Sequence, residues 1–244
     1  MSKNKRFFPQ IALVTGANRG IGLEVCRQLA QQGIEVILTS RTVQGKKAAA
    51  QLQKDGLHVR YHRLDVTTEK SRKQMYEWVV QKYGRLDILV NNAGIFLDNK
   101  DSEIFGTSAF QSSLNILRRT LETNVYGPFR LCQLFIPQMR KNAFGRVVNV
   151  SSRMGQLSTM EKGDAAYRIS KTALNAVTRI FAEETVGDNI LVNSVHPGWV
   201  RTKMGGLSAP LTVEQGARGI VWAALLPNGG PTGKFFQDGK EMEW

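Results

Sequence analysis

Short apolar runs alternate with longer amphipathic stretches from Ile11 almost to the end of this chain. IALVT, starting at Ile11, is apolar, β-branched and too brief for a helix, so it reads as a buried strand. LEVCRQLAQQG then has the spacing of an amphipathic helix and closes at Gly33. VILTSR (36–41) and VRYHRLD (59–65) read as strands, EKSRKQMYEWVVQKYG (69–84) as a helix, and LDILVNNAG (86–94) as a strand running into a turn. Residues 111–141 are largely helical, with a break or bend expected near Gly127-Pro128, because proline lacks the amide that a helix interior needs. RVVNVSS (146–152) and ILVNSVHPG (190–198) are two further strands, with AAYRISKTALNAVTRIFAEE helical between them. GARGIVWAALL (216–226) precedes a last short strand around GKFFQD. This order predicts an α/β fold, a doubly wound parallel sheet of about seven strands with helices on both faces. No linker or repeat divides residues 1–244, which read as one domain.

The turn after the first strand is the first sign of chemistry. TGANRGIG (15–22) lies between a strand and a helix, the context a dinucleotide site demands. Its spacing is G-x-x-x-G-x-G rather than G-x-G-x-x-G. Gly16, Gly20 and Gly22 let the backbone turn sharply and approach a pyrophosphate at the helix start. At the end of the second strand, an enzyme without a 2′-phosphate on its cofactor usually carries Asp or Glu to accept the ribose hydroxyls. Here Ser40 and Arg41 stand there, with Arg19 inside the loop. Guanidiniums pair with a phosphate that a carboxylate would repel, so the pattern favours NADPH.

Tyr167 and Lys171 are four apart in a helical stretch and so share a face. A phenol ionises near pH 10, and a neighbouring ammonium is expected to lower that value toward useful acid–base chemistry. Sites in doubly wound sheets gather outside the carboxyl ends of strands, and Asn91, Ser152 and Pro197 all fall at such ends. Ser151 rivals Ser152 on sequence alone.

Composition excludes more than it selects. Hydrophobic residues at 42 % and charged residues at 22 % fit a soluble globular protein. The basic start MSKNKRF is followed by no secretion-length apolar segment, and no apolar run approaches a membrane span. The net charge of +13 could mark a nucleic-acid binder, but the basic residues are dispersed and no nucleic-acid motif focuses them. No specific nucleic-acid role is expected. Cys26 and Cys132 read as buried free thiols in a reducing, cytoplasmic setting, and no Cys/His set has metal-ligand spacing.

TGANRGIG at 15–22, LDV at 64–66, NNAG at 91–94, Asn124, NVSS at 149–152, Tyr167-x-x-x-Lys171 and HPGWVRT at 196–202 together resemble the short-chain dehydrogenases/reductases, in family order over nearly the whole chain. TGANRGIGLEVCRQL, GRVVNVSSRMG, HPGWVRTKMGG and the ending GKFFQDGKEMEW look most like the NADPH-dependent carbonyl reductases of that family. The resemblance implies a Rossmann-type fold and hydride transfer from NADPH to a small aldehyde, ketone or quinone. It casts Tyr167 as proton donor, Ser152 as the hydroxyl that orients the carbonyl, Lys171 as electrostatic support with a ribose contact, and Asn124 as holder of a water linked to Lys171. The lesser alternative for Asn124 is a buried amide securing the helix bend near Gly127.

Expected cofactor contacts are Gly16, Asn18, Arg19, Gly20, Ile21 and Gly22 in the loop and Arg41 beyond it. Asp65 and Val66 belong near adenine, and Asn91, Ala93 and Gly94 along the cofactor. Tyr167, Lys171, Pro197, Gly198, Val200 and Thr202 complete the set. Asp65 reads equally as a helix cap. Ser152, Met154, Tyr167, Trp199 and Met204 would line the substrate space, although Met154, Trp199, Met204 and Met160 read almost as well as packing residues. His196, just before Pro-Gly, reads as a shaping residue.

Some members have a long insertion between the site serine and tyrosine; here Ser152 and Tyr167 are fifteen positions apart. That leaves faces of the helices near Asn124 and Ala166 free for a homodimer or homotetramer, with a monomer left open. Residues 95–123 read as a flap over the substrate mouth, an exposed connection or a subunit contact. A 3-oxoacyl thioester reductase, a sugar or steroid hydroxyl dehydrogenase and a noncatalytic NADPH-sensing scaffold are the other readings.

Overall fold

The computed structural model describes residues 9–98 and 107–244. Eight strands form one sheet: β1 (Ile11–Val14), β2 (Glu35–Ser40), β3 (Val59–Arg63), β4 (Ile88–Asn91), β5 (Gly145–Val150), β6 (Ile190–Val195), β7 (Phe235–Gln237) and β8 (Lys240–Met242). They lie in the order β3-β2-β1-β4-β5-β6-β7-β8. The first seven strands are mutually parallel, and β8 folds back antiparallel on β7. The helices are α1 (Gly20–Gln31), α2 (Gln44–Lys54), α3 (Glu69–Tyr83), α4 (Leu114–Leu121), α5 (Gly127–Lys141), α6 (Ala165–Glu184) and α7 (Val213–Ala224).

Strand alternation builds two cores. Ala12 and Val14 of β1, Val36 and Leu38 of β2, and Ile88 and Val90 of β4 face a cluster with Val25, Leu29, Leu52 and Ile220. Their neighbours Leu13, Ile37 and Leu89 face the opposite cluster, with Met75, Val79, Leu131 and Phe135. Because both faces are covered, every residue of β1, β4, β5 and β6 is buried. That is why these strands read as mainly apolar runs, and why their polar members Arg146, Asn149 and Asn193 are hydrogen-bonded inside the fold.

All seven strands read from the sequence form, and the described residues add an eighth, a three-residue hairpin arm carrying Lys240 and Glu241, which gives no apolar signal. One expectation is corrected in place: the helical irregularity lies just before Gly127-Pro128, as a π-helical turn over Glu122–Tyr126. The helix runs on through this turn without a break, and Pro128, which has no amide to donate, follows directly on the wider turn. Gly127 is required for a steric reason: a β-carbon there would come within 2.9 Å of the Val66 carbonyl oxygen.

Strand order reverses between β1 and β4, and the loops above that point open into a cavity of ≈ 680 Å³.

Candidate active site

One wall of the cavity is the turn from β1 into α1. Gly16 and Gly20 take left-handed φ of 64° and 58°. A β-carbon on Gly16 would lie 2.8 Å from the Ala93 Cα, so the loop can press against the end of β4 only with glycine there. Asn92 holds the contact from the other side. Its Nδ2 donates to the carbonyls of Thr15 at 2.8 Å and Gly16 at 3.3 Å. Thr15 Oγ1 in turn accepts the amides of Asn92 at 3.0 Å and Ala93 at 2.9 Å. The cap position of α1 is Arg19, which makes no side-chain cap, so the first-turn amides keep their donors for a ligand.

The cations in the cavity lining are Arg19, Arg41, Lys171, Arg201 and Lys203, and among the described residues no carboxylate joins them. Ser40, Arg41, Thr42 and Gln44 form the end beyond β2. Ser40 Oγ and Tyr61 Oη both donate to the Thr42 carbonyl, at 2.7 and 3.0 Å, which shapes the loop that carries Arg41. A long polyanion with one charge beyond β2 fits this surface, and a glycine cradle meets its middle.

At the opposite end the first turn of α6 brings Tyr167 and Lys171 to the cavity. Both are buried. Burial pushes the Tyr167 phenol up to about 12, while a hydrogen bond with Ser152 pulls it back slightly. Burial also brings the Lys171 ammonium down to about 8. The expected lowering of the phenol by lysine is therefore not what this geometry produces. Lys171 Nζ donates to the Val150 carbonyl at 2.8 Å and sits 5.5 Å from the centre of the tyrosine ring, so desolvation outweighs its attraction for a phenolate.

Ser152 lies beside Tyr167, and its Oγ also accepts the Met154 amide at 3.2 Å. Ser151 lines the cavity and its hydroxyl is engaged by the Lys171 carbonyl, to which it donates at 3.4 Å. Asn124 lies within the π turn. Its Oδ1 accepts the Ile95 amide at 2.9 Å, and its Nδ2 donates to the Ile95 carbonyl at 2.9 Å and to Ser170 Oγ at 3.0 Å. His196 is mostly buried with Nδ1 unpartnered; burial, Arg153 and Lys171 hold its imidazole down to about 4, hence neutral.

Gly16, Asn18, Arg19, Gly20, Ile21, Gly22, Arg41, Val66, Ala93, Gly94, Tyr167, Lys171, Pro197, Thr202 and Met204 all line the cavity. Other sequence candidates stand behind or beside it. Asn91 points into the sheet, donating to Asn149 Oδ1 at 2.8 Å. Asp65 neither caps α3, whose cap residue is Thr68, nor lines the cavity; it accepts the amide and hydroxyl of Thr67 at 3.0 and 2.7 Å. Val200 is 3 % exposed and bridges Leu211. Gly198, at φ 81°, makes room for the Leu211 side chain. Trp199 is half exposed and donates its indole N–H to the Gly205 carbonyl at 2.8 Å. Ser152, Asn124 and Met154 also stand outside the lining. Asn92, Ser40 and Arg201, which fall within the stretches read from the sequence as cofactor contacts, line the cavity as well. Sequence reasoning left Thr42, Gln44 and Lys203 out of the site, and no local pattern marks them.

Cys26 and Cys132 are free and buried. Among the described residues, no three His, Cys, Asp or Glu side chains cluster as a metal site, and no helix is long and apolar enough to cross a membrane.

A family model for short chain dehydrogenases matches residues 10–210. Carbonyl reductase (NADPH) 1 of Sus scrofa is 35 % identical over 291 aligned positions, which cover 100 % of this chain and 96 % of the relative. That alignment is longer than the 244 residues here, so the pig enzyme carries insertions relative to this chain. (+)-Neomenthol dehydrogenase of Arabidopsis thaliana is 36 % identical, covering 93 % of this chain and 96 % of the relative. Among solved structures, NADPH-bound carbonyl reductase from chicken fatty liver matches with a TM-score of 0.85 and 28 % identity, covering 97 % of this chain and 99 % of that one. Salutaridine reductase from Papaver somniferum matches at 0.81 and 30 %, covering 94 % and 99 %. With its glycine cradle, its strand order and the Tyr167–Lys171 pair, the chain belongs to the short-chain dehydrogenase family of oxidoreductases.

Proposed function

We propose that this protein is an NADPH-dependent carbonyl reductase acting on an aldehyde, ketone or quinone, with Tyr167 as the proton donor. The observation that carries this reading is the cavity itself: among the described residues five cations and no carboxylate line it, with Tyr167 at one end and Ser152 beside that tyrosine. NADPH supplies a hydride when bound. The amides at the start of α1 would hold its pyrophosphate, and Arg41 with Ser40 and Thr42 would receive the 2′-phosphate. Lys171 contributes positive charge at the Tyr167 end.

Negative charge develops on the substrate oxygen as its carbon is reduced. Ser152 Oγ donates to that oxygen, an interaction that strengthens along the reaction. Tyr167 Oη then gives up its proton to the same oxygen. A phenol held up to about 12 is fully protonated at neutral pH, the state a donor needs. Asn124, fixed by Ile95 and Ser170, keeps the π turn in register beside Ser170 and Tyr167.

Trp199 and Met204 are about half exposed at the nicotinamide end, and we assign them, with Met154, to the apolar rim of the substrate space. Tyr126, Ile169 and Ile180 are similarly exposed on the outer helices, which favours a homodimer or homotetramer. Light scattering that gives 27.2 kDa at every dilution would remove that assembly. The functional test is NADPH oxidation with a panel holding an aromatic aldehyde, a quinone, a cyclic terpenoid ketone, a 3-oxoacyl thioester and a keto-steroid. Turnover of the first three supports the reading. NADPH binding without turnover of any member points to a scaffold, and turnover confined to the thioester or steroid to a sibling activity.

A further inference from the structure

The segment leaving β4 runs through Gly94, Ile95, Phe96, Leu97 and Asp98, and it touches both the turn that carries Asn124 and the helix that carries Tyr167 and Lys171. Asn124 holds Ile95 by both its amide and its carbonyl. Phe96 stands against the ring of Tyr167, centroids 4.6 Å apart. Asp98, buried at 6 % exposure, reaches the helix itself: Oδ1 accepts the amide of Ala166 at 2.9 Å and Oδ2 accepts that of Tyr167 at 3.0 Å.

Those amides belong to the first turn of α6, which a helix leaves without internal acceptors. The residue in the cap position cannot serve them. Asp164 has a left-handed backbone at φ 50°, makes no side-chain cap, and buries Oδ1 without a partner. The cap comes instead from 68 residues upstream. The Asp98 carbonyl also accepts the Thr107 hydroxyl, and the Thr107 carbonyl accepts the Asp164 amide at 3.0 Å. The two described ends of the connection between β4 and α4 thus meet at the start of the helix that bears Tyr167.

We propose that Asp98 is a positioning residue for Tyr167, its carboxylate clamping two consecutive amides so that the phenol stays in place beside Ser152. The inference rests on Tyr167 being the proton donor, as read above. A carboxylate suits the task because it offers two acceptors, makes charge-assisted bonds and is favoured at a helix N-terminus. An asparagine offers one acceptor and sets its amide group against the second N–H. Tyr167 is held by its own amide, so loosening the clamp moves the phenol directly, and a misplacement near 1 Å costs up to about 100-fold in rate. Asp98 lies outside the cavity lining, so cofactor binding is a separate readout.

The test compares the parent with Asp98→Asn and Asp98→Ala by amide hydrogen exchange over residues 164–171 without cofactor, by NADPH titration and by steady-state reduction of an aromatic aldehyde. Exchange should accelerate in both variants while NADPH affinity and aldehyde KM stay within about two-fold. Turnover should fall about 10-fold in Asp98→Asn and up to about 100-fold in Asp98→Ala. Turnover within two-fold of the parent despite faster exchange would overturn the proposal, as would unchanged exchange or parallel loss of NADPH affinity and turnover. If Asp98→Ala does not fold, Asp98→Asn is judged by the same criteria. A parent that binds NADPH and reduces no carbonyl refutes the donor reading instead, and the exchange arm then decides whether Asp98 holds the helix start.

Discussion

A β-carbon built on Gly22 would lie 2.4 Å from Asn92 Nδ2, so the third glycine of the loop and the first residue after β4 occupy one shared space. That asparagine ties the loop carbonyls of Thr15 and Gly16 to β4. Gly22→Ala should therefore displace Asn92 and loosen the cradle, weakening NADPH binding about 10-fold or more, close to 1.4 kcal/mol. Fluorescence titration measures it; unchanged affinity would mean the cradle does not depend on this packing.

Arg41→Asp replaces a phosphate partner with a repelling charge. The NADPH dissociation constant should rise on the order of 100-fold, and that for NADH far less. Arg19→Ala should shift the preference the same way, more modestly. Titrations at matched salt separate this from general screening. Equal weakening of both cofactors would remove Arg41 from 2′-phosphate recognition.

Tyr167→Phe keeps the ring against Phe96 and deletes the hydroxyl. NADPH affinity should hold within a few-fold while carbonyl reduction falls by roughly 100-fold or more. Ser152→Ala should also slow turnover without emptying the cofactor site. Single-turnover reduction at the parent's rate, with chemistry rate-limiting, would defeat the mechanism.

Lys171 carries its charge below about pH 8 and loses it above, earlier than an ordinary lysine at 10.5. Affinity for a polyanionic cofactor should therefore decline as pH rises through about 8, a range in which the cofactor phosphates, ionising near pH 6, no longer titrate. Lys171→Met should bind more weakly at pH 7 and lose this limb. A limb that persists in Lys171→Met would assign it to another group.

His196 adds a pH dependence to stability. Its folded value of about 4 lies below the ordinary 6.5, so between those limits the unfolded chain takes up a proton that the folded chain refuses. Stability is full above pH 6.5 and falls as pH drops toward 4, by on the order of 3 kcal/mol. His62, lowered by burial, acts in the same direction. Denaturant unfolding at pH 7.5 and 4.5 should show a smaller difference in His196→Asn; an equal difference would place the titration elsewhere.

The elements legible in the sequence were those whose burial is visible locally. The runs of β1, β4, β5 and β6 are covered on both faces and therefore mostly apolar, with buried polar side chains at Asn91, Arg146, Asn149, Asn193 and Ser194. The Gln44–Lys54 helix escaped because only Gly45, Ala49 and Leu52 are buried, too few to form a stripe. The glycine loop, Tyr167 and Lys171 were readable from short spacings. What could not be read came from pairings across the fold. Asn91 lies opposite Asn149 in the β4–β5 register and bonds to it, leaving the cavity to Asn92. Asp98 meets Ala166 only after β5 and the chain around it are in place, and no local pattern announces such a cap.

The π turn at Glu122–Tyr126 sets a limit on how this chain can change in evolution. A π turn is one residue more than an α-helical turn needs, so losing any one of these five residues would let the helix close regularly and rotate all that follows by about 100°. Leu131, Phe135 and Met139 would swing away from the core they fill. Descendants of this sequence are therefore expected to reject single-residue deletions here, where the exposed Tyr126 can be substituted but the length of the turn cannot change.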